Sequence, residues 1–413
     1  MYNLIDIDNE INMKSIRTVF KSGYGPSSSH TVGPTVASKV IDRKYVDYDF
    51  VEVTLYGSLA LTGKGHGTDK AIEAIIPNSK IIFDTSKRID ELPHPNTMIF
   101  KTYKDGKLLG EDTVLSIGGG DIKVNNEIWN PGEIYSEKSF SEIIDECEKR
   151  NITLPEFIYE KEEDDFKDEL RLKWSMMKDC INRGLNTTGI LPGDLGIERK
   201  AKFLYEMKVK DEGETQKEDR LISSYAFAAA EENAAGHMVV IAPTCGSCGV
   251  LSAVLYFMEN DKKYSEDEII DGLAVAGLVG NIIRTNASVS GAECGCQAEI
   301  GSACSMASAA LAQLNNLNLK QIEYAAEVAM EHHLGLTCDP VHGYVQIPCI
   351  ERNAVAAMRA VNAVNISKFL YLNRKISFDA VVETMYKTGC DLSEKYRETS
   401  SGGLASMFEK IHN

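Results

Sequence analysis

The chain has 413 residues, of which 43% are hydrophobic and 25% charged, as in an ordinary globular protein. Its formal net charge of −17 argues against a nucleic-acid partner, whose phosphates need a basic surface. The most apolar stretch, Ile269 to Ile283, is shorter than the roughly 20 residues that a bilayer requires, and the acidic N-terminus is unlike a signal peptide. We therefore expect a cytoplasmic protein with no membrane partner and with reduced cysteines.

The first 135 residues predict a small mixed α/β domain. Helices are expected to begin near Thr31 and Thr68, and Ile122–Trp129 is expected to pair back on the preceding strand as a hairpin. The predicted strands are runs that alternate in polarity or are rich in β-branched residues: Phe50–Tyr56, Lys80–Phe83, Thr97–Tyr103 and Asp112–Ile117.

The rest of the chain predicts a charged linker followed by helices. Residues 136–169 are rich in charge, including Glu160–Asp165, and indicate an exposed helix and a linker. Residues 170–413 predict an all-α domain, because small helix formers dominate Phe227–Ala235, Asp271–Val279 and Cys304–Leu314. The predicted fold class is α+β, with a small N-terminal mixed α/β domain (1–135) and a larger all-α C-terminal domain.

Three cysteines lie beside residues that bend the chain, and they are Cys296, Cys338 and Cys349. Thiols on loops can converge on one point. Three converging thiolates hold an iron–sulphur cluster with one open iron, or a zinc ion with one open position. The alternative is a set of three buried structural cysteines.

Consecutive hydroxyl residues before a predicted helix form a second candidate site. Ser27, Ser28, Ser29 and Thr31 offer hydroxyls and free backbone N–H groups to a carboxylate or phosphate, and His30 among them can relay a proton. The alternative is an elaborate helix cap.

A glycine-rich segment from Gly63 to Lys70 forms a third candidate site. It predicts a flexible, exposed loop that carries Lys64 and His66, and an imidazole there suits acid–base chemistry near pH 7. The turn Pro243–Gly249 carries Cys245 and Cys248, which indicate a redox pair, an additional cluster ligand or a carboxylate-binding turn.

Long, ordered motifs along nearly the whole chain resemble those of the iron–sulphur-dependent L-serine dehydratases, also called L-serine ammonia-lyases. The motifs are Ser27–Pro34, Gly57–Asp69, His94–Asn96, Ser116–Gly120, Ser290–Glu293, Gly295–Gln297, Ala303–Met306, Glu331–Pro340, Gln346–Asn353 and Tyr396–Ala405.

The resemblance implies a β-type and an α-type domain fused in one chain, and an enzyme that converts L-serine, a small amino acid, to pyruvate and ammonia. It implies a [4Fe–4S] cluster held by Cys296, Cys338 and Cys349, whose open iron binds the serine hydroxyl as a Lewis acid. Water then leaves, and aminoacrylate hydrolyses. No pyridoxal phosphate is needed, and a homodimer is expected.

The site residues that the resemblance implies lie in both domains. The catalytic candidates are His66, His30 and Lys64. The substrate-binding candidates are Ser27, Ser28, Ser29, Thr31, Thr244 and Gly246.

Some members of the family end in a cysteine that caps the fourth iron. Here the last residues are Phe408–Asn413, and Cys245 stands where the family turn usually has asparagine. Cys245 is therefore a candidate fourth ligand, with Cys248 and Cys294 as further additions. Two alternative functions remain: the same elimination on another small substrate such as L-cysteine, and a cluster- or zinc-bearing sensor without turnover.

Overall fold

The computed structural model describes residues 13–125, 127–128 and 133–412. The strands are β1 Met13–Lys14, β2 Ser22–Tyr24, β3 Phe50–Leu55, β4 Ser79–Phe83, β5 Thr97–Lys104, β6 Lys107–Gly118, β7 Asp121–Val124, β8 Glu127–Ile128, β9 Glu133–Tyr135 and β10 Met238–Val240. The helices of the first half are α1 Gly33–Lys44, α2 Ser58–His66, α3 Thr68–Glu73, α4 Phe140–Arg150, α5 Leu154–Lys161, α6 Phe166–Asn186, α7 Ala201–Glu206 and α8 Glu214–Ala234.

The helices of the second half complete the chain, and two π-helical turns accompany them. They are α9 Cys248–Asn260, α10 Glu266–Asn286, α11 Gly291–Cys294, α12 Ser302–Leu314, α13 Leu319–Glu331, α14 Cys349–Leu370, α15 Phe378–Asp391 and α16 Gly403–His412. The π-helical turns are Ser28–Val32 and Gln297–Gly301. The predicted α+β class, with the sheet before the helices, is confirmed.

The N-terminal sheet has the strand order β4-β3-β5-β6-β7-β8 among the described residues. β3 runs parallel to β4, and the other neighbours are antiparallel. Side chains of β3 alternate between buried and partly exposed, so one face of the sheet packs on helices. The predicted strands and the hairpin from Ile122 are confirmed, while Trp129 lies outside the described residues.

The helical region is built around α10 and α12. Their small and aliphatic side chains are almost all buried, which is typical of central helices surrounded by others. The N-terminal segment also joins this core, because β2 pairs with β10 and the side chains of Ile16 and Phe20 are buried in it.

The charged segment 136–169 is more than a linker. It forms α4, α5 and the start of α6, and Phe140, Leu154 and Phe157 from this segment belong to the helical core. The charges occupy the outer faces of amphipathic helices, so charge density alone concealed the buried residues. The domain boundaries themselves stay a prediction.

Candidate active site

The structure brings the three predicted metal-binding cysteines to one pocket. Cys296 lies between α11 and the second π-helical turn, Cys338 follows α13, and Cys349 begins α14. All three line one pocket that opens to solvent. Its other lining residues come from both halves of the chain: Pro26, Ser27, His66, Gly246, Glu299, Ile300, Pro340, Val345 and Glu398.

The thiols have one guanidinium beside them. A hydrogen bond from Cys338, together with Arg352, lowers the pKa of Cys296 to about 6 in spite of burial. The same contact with Cys296, and burial, raise the pKa of Cys338. Although Arg352 is itself buried, the nearby cysteines raise its pKa, so it remains charged and compensates the negative charge of a thiolate.

The His30 imidazole is fully engaged by hydroxyl groups. Its Nε2 lies 2.9 Å from Thr62 Oγ1 and 3.2 Å from Ser58 Oγ. Those hydroxyls donate their own protons to carbonyl groups, of Ser58 and Glu398 respectively. Nε2 therefore donates, and Nδ1 accepts from the Ser29 hydroxyl at 2.9 Å. His30 has no nitrogen left for a substrate.

The His66 imidazole has a free nitrogen. Its Nδ1 lies 2.9 Å from the carbonyl oxygen of Thr62, which can only accept, so Nδ1 carries the proton. Its Nε2 is buried, lacks a hydrogen-bond partner among the described residues, and belongs to a side chain that lines the pocket. Burial lowers the pKa of His66 to about 4, so the ring is neutral at pH 7. A neutral imidazole with a bare nitrogen is suited to accept a proton.

Two carboxyl groups in the pocket were not selected from the sequence. Glu299, Cys296 and Cys338 have ligand atoms within 4.8 Å of one another, and so do Glu398, His30 and His66. Burial and Cys296 raise the pKa of Glu299 to about 8, against a hydrogen bond from Thr244.

Burial likewise raises the pKa of Glu398, with further contributions from Glu299 and Cys296. Glu398 lies in the motif Tyr396–Ala405, and Glu299 lies between the motifs Gly295–Gln297 and Ala303–Met306. The available signal was the family motif for Glu398 and the position three residues after Cys296 for Glu299.

The predicted substrate-binding residues divide into two groups. Ser27 and Gly246 line the pocket. Ser29 holds His30, and Thr244 is bonded to Glu299 and Ser247, so these two support the lining.

The other two predicted substrate-binding residues do not line the pocket. The Thr31 hydroxyl donates to the backbone oxygens of Tyr24 and Ser27, and its hydrogen-bonding capacity is used there. Ser28 is buried and is not among the pocket-lining residues that the structure describes.

Lys64 does not reach the pocket, contrary to the prediction. Gly63–Lys70 is not a flexible loop but the end of α2 and the start of α3. Positions 64 and 66 are about 200° apart around a helix, so the two side chains diverge. Lys64 is exposed, with Nζ 5.6 Å from the centre of the Phe83 ring.

The glycines of this segment allow α2 to pack closely against a neighbouring turn. A Cβ on Gly65 would lie 2.6 Å from the carbonyl oxygen of His342, so only glycine lets α2 approach the turn at 341–343. This close packing compensates the low helix propensity of glycine.

The additional cysteines are not among the described residues that line the pocket. Cys245 is buried in the helical core and is not among the described lining residues, whereas Gly246 is. Burial, followed by the charge of Glu299, raises the pKa of Cys245. Cys248 Sγ lies 3.8 Å from the carbonyl oxygen of Ala229, and Cys294 Sγ lies 4.0 Å from that of Tyr386. The structure therefore does not support Cys245 as a fourth ligand.

Comparisons with known proteins agree along the chain. The model of the serine dehydratase beta chain matches residues 15–76, and that of the serine dehydratase alpha chain matches residues 90–405. An L-serine dehydratase of Haemophilus influenzae is 38% identical, over 95% of this chain and 99% of that protein. L-serine dehydratase 2 of Escherichia coli is 38% identical, over 95% and 98%, and an L-serine dehydratase of Streptomyces coelicolor is 37% identical, over 95% and 98%. Within the described part of the chain, none of the helices has the length and apolarity needed to cross a membrane.

Proposed function

Because this chain belongs to the serine dehydratase family, we propose that it is an L-serine ammonia-lyase, which forms pyruvate and ammonia from L-serine. One structural observation supports this function independently of the family. The free Nε2 of His66 belongs to a side chain that lines the same pocket as Cys296, Cys338 and Cys349. A base and a metal-binding thiol set in one pocket are what an elimination needs.

The donor set fits an iron–sulphur cluster. Three cysteines converge, and no fourth cysteine lines the pocket among the described residues. Cys296, Cys338 and Cys349 would hold the cluster, and Arg352 would offset part of its charge. When bound, such a cluster has one iron without a protein ligand, which supplies a Lewis acid for the departing hydroxyl group.

His66 is the proposed base. Nε2 takes the α-proton of serine, while the bond from Nδ1 to the Thr62 carbonyl fixes the orientation of the ring. The electron pair of the broken C–H bond forms the Cα–Cβ double bond. The hydroxyl group leaves as hydroxide and becomes water by taking up one proton, which balances the proton that His66 received. The resulting aminoacrylate tautomerises and takes up water, giving pyruvate and ammonia.

Other residues shape the pocket around the substrate. Ser27 and Gly246 present polar groups, and Ile300, Pro340 and Val345 present apolar ones. Apolar walls limit access of water to the reacting carbon. Thiol ligands also need a reducing compartment, which supports the cytoplasm as the location. The homodimer stays a prediction.

The test is anaerobic reconstitution with iron and sulphide, followed by assays of 2-oxo acid formation from L-serine, L-threonine and L-cysteine. We expect about four irons per chain and a preference for L-serine. Faster turnover of L-cysteine would favour elimination of sulphide instead. A stable cluster without turnover of any of the three would favour a sensor and contradict the proposal.

The matched control is a buried cysteine outside the pocket. Single serine variants of Cys296, Cys338 and Cys349 should lose bound iron. Cys304→Ser, on α12, should retain it, because the Cys304 thiol contacts the Ala356 carbonyl instead of the pocket. Cys245→Ser should also retain its iron, since Cys245 lies outside the lining.

A further inference from the structure

Glu398 places a buried carboxyl group in the pocket wall. The residue is 4% exposed and lines the pocket. Its Oε2 has no hydrogen-bond partner among the described residues. A buried polar atom without a partner is costly, and such atoms are uncommon in folded proteins. The backbone N–H of Ala292 lies near this carboxyl group but is not in hydrogen-bond geometry with Oε2, so this oxygen is open to a group that arrives from outside the chain.

The surroundings of Glu398 lack a permanent cation. Its Oε1 lies 3.6 Å from His30 Nδ1 and 3.7 Å from His66 Nε2, and no described lysine or arginine forms an ion pair with it. Burial lowers the pKa of both imidazoles, so both rings are neutral at pH 7. A cationic ligand would therefore be what favours the carboxylate form of Glu398 over the neutral acid.

The position of Glu398 relative to His66 matches an α-amino acid. His66 Nε2 also lacks a partner, and it lies 3.7 Å from Glu398 Oε1. In serine, the proton to be removed and the ammonium group are bonded to the same carbon. Two acceptors a few ångströms apart can therefore contact both groups of one substrate molecule.

The backbone fixes Glu398 at this place. Its N–H donates to the Cys338 carbonyl at 2.8 Å, and its own carbonyl accepts from the Ser58 hydroxyl at 2.7 Å. Its φ of +56° is uncommon for a residue with a side chain. Such a conformation at a pocket is retained when the position of the side chain matters.

The other pocket carboxyl is less suitable. Glu299 receives the Thr244 hydroxyl and lies with Oε2 3.9 Å from Cys296 Sγ. It is thus directed at the thiols, whereas Glu398 lies beside the base.

We propose that Glu398 binds the α-ammonium group of the substrate and thereby restricts the pocket to α-amino acids. This inference rests on the proposed function, since it assigns a partner to the base His66. Glu398 acts by charge and direct contact, and the carboxylate of the substrate is left to other groups.

The experiment compares L-serine with 3-hydroxypropanoate, which is serine without its amino group. The parent, Glu398→Gln and the control Glu394→Gln are reconstituted alike, and KM for L-serine and the inhibition constant of 3-hydroxypropanoate are measured. Glu394 lies in the same segment but does not line the pocket. We expect Glu398→Gln to raise KM about 10- to 100-fold, the size of one hydrogen bond to a charged group. The inhibition constant should change less than about threefold.

Two results would overturn the inference. One is an active Glu398→Gln enzyme whose KM for L-serine and inhibition constant both equal those of the parent. The other is an equal loss for both compounds, which would indicate a structural role. A parent that forms no pyruvate contradicts the proposed function instead. The inference is then tested by the thermal shift that L-serine causes, which Glu398→Gln should lose and Glu394→Gln retain.

Discussion

The imidazoles of His30 and His66 stack with their ring centroids 4.3 Å apart, yet only His66 has a free nitrogen. Burial lowers the pKa of both rings, and the proximity of His66 lowers that of His30 further. The pair therefore consists of the proposed base and of a second imidazole whose nitrogens are both engaged. The sequence alone did not show which histidine is the base, because His30 and His66 both lie in motifs of the family resemblance.

His66→Asn should lower kcat by about 10²- to 10⁴-fold, the usual contribution of a general base. KM should change little, because the substrate is held by other groups. His30→Asn should instead lower the unfolding temperature, since it leaves the hydroxyls of Ser29 and Thr62 without their partner. Steady-state kinetics and thermal unfolding of both variants check this. Equal kinetic losses with unchanged stability would contradict the assignment.

Arg352→Gln should weaken retention of the proposed cluster. The guanidinium favours the thiolate of Cys296, so its loss should raise the pKa of that thiol. Groups that support metal ligands typically change metal affinity by about 10- to 100-fold. Iron release to a chelator is the measurement. Arg359→Gln is the control, because Arg359 is exposed on the same helix and donates to the His332 carbonyl. Equal release rates would contradict the prediction.

Gly65→Ala should displace α2 and carry His66 with it. The new Cβ would lie 2.8 Å from the Gly343 backbone and closer still to His342, and backbone atoms cannot rotate away. We expect a loss of about 1–3 kcal/mol in stability, as for other overpacking changes, together with a lower kcat/KM. At Gly213 a Cβ would meet Gln216 Oε1 at 3.9 Å, which makes Gly213→Ala the control. Parent-like activity of Gly65→Ala would show that this contact does not fix the base.

Acid should destabilise the apoprotein partly through His333. Burial lowers the pKa of His333 from 6.5 to about 4. Between these values the unfolded chain binds the proton more strongly than the folded chain. The contribution of neutral His333 to the free energy of unfolding is therefore fully present above pH 6.5 and is lost as the pH drops towards 4. The loss amounts to at most about 3 kcal/mol.

Urea unfolding of the apoprotein at pH 7 and pH 5 measures this effect. His333→Gln should show a smaller difference between the two pH values than the parent. The control is His332→Gln, which removes the exposed neighbouring imidazole. If both variants reduced the stability difference between pH 7 and pH 5 by the same amount, burial of His333 would not be its cause.

The local pattern of polar, apolar and small residues was sufficient to predict many of the strands and helices. Alternation in Phe50–Tyr56 predicted a strand, and small residues in Cys304–Leu314 predicted a closely packed helix. The structure has a strand at Phe50–Leu55 and a buried helix at Ser302–Leu314. The local pattern gave a wrong prediction where glycines allow contacts between segments that are far apart in the chain. Gly63 and Gly65 indicated a loop, whereas they allow α2 to pack closely, and no local signal reveals that partner.

The site was predictable only in part, for a similar reason. Cys296, Cys338 and Cys349 stood out because bends in the chain flank them, and the structure brings them together. Lys64 was selected for its chemistry, but the helical period directs it away from His66. Glu299 and Glu398 were missed because a single glutamate is common. What distinguishes them is burial in the pocket, which depends on segments far apart in the chain.

The backbone bonds of Glu398 have a consequence for biosynthesis. This residue links the Cys338 loop to Ser58, and it is synthesised after every other residue of the pocket. Domains generally fold from the N-terminus while the chain emerges from the ribosome. The three thiols of a nascent chain are therefore synthesised before the residue that completes the pocket wall. A chain interrupted before that point has every cysteine of the site but no closed pocket.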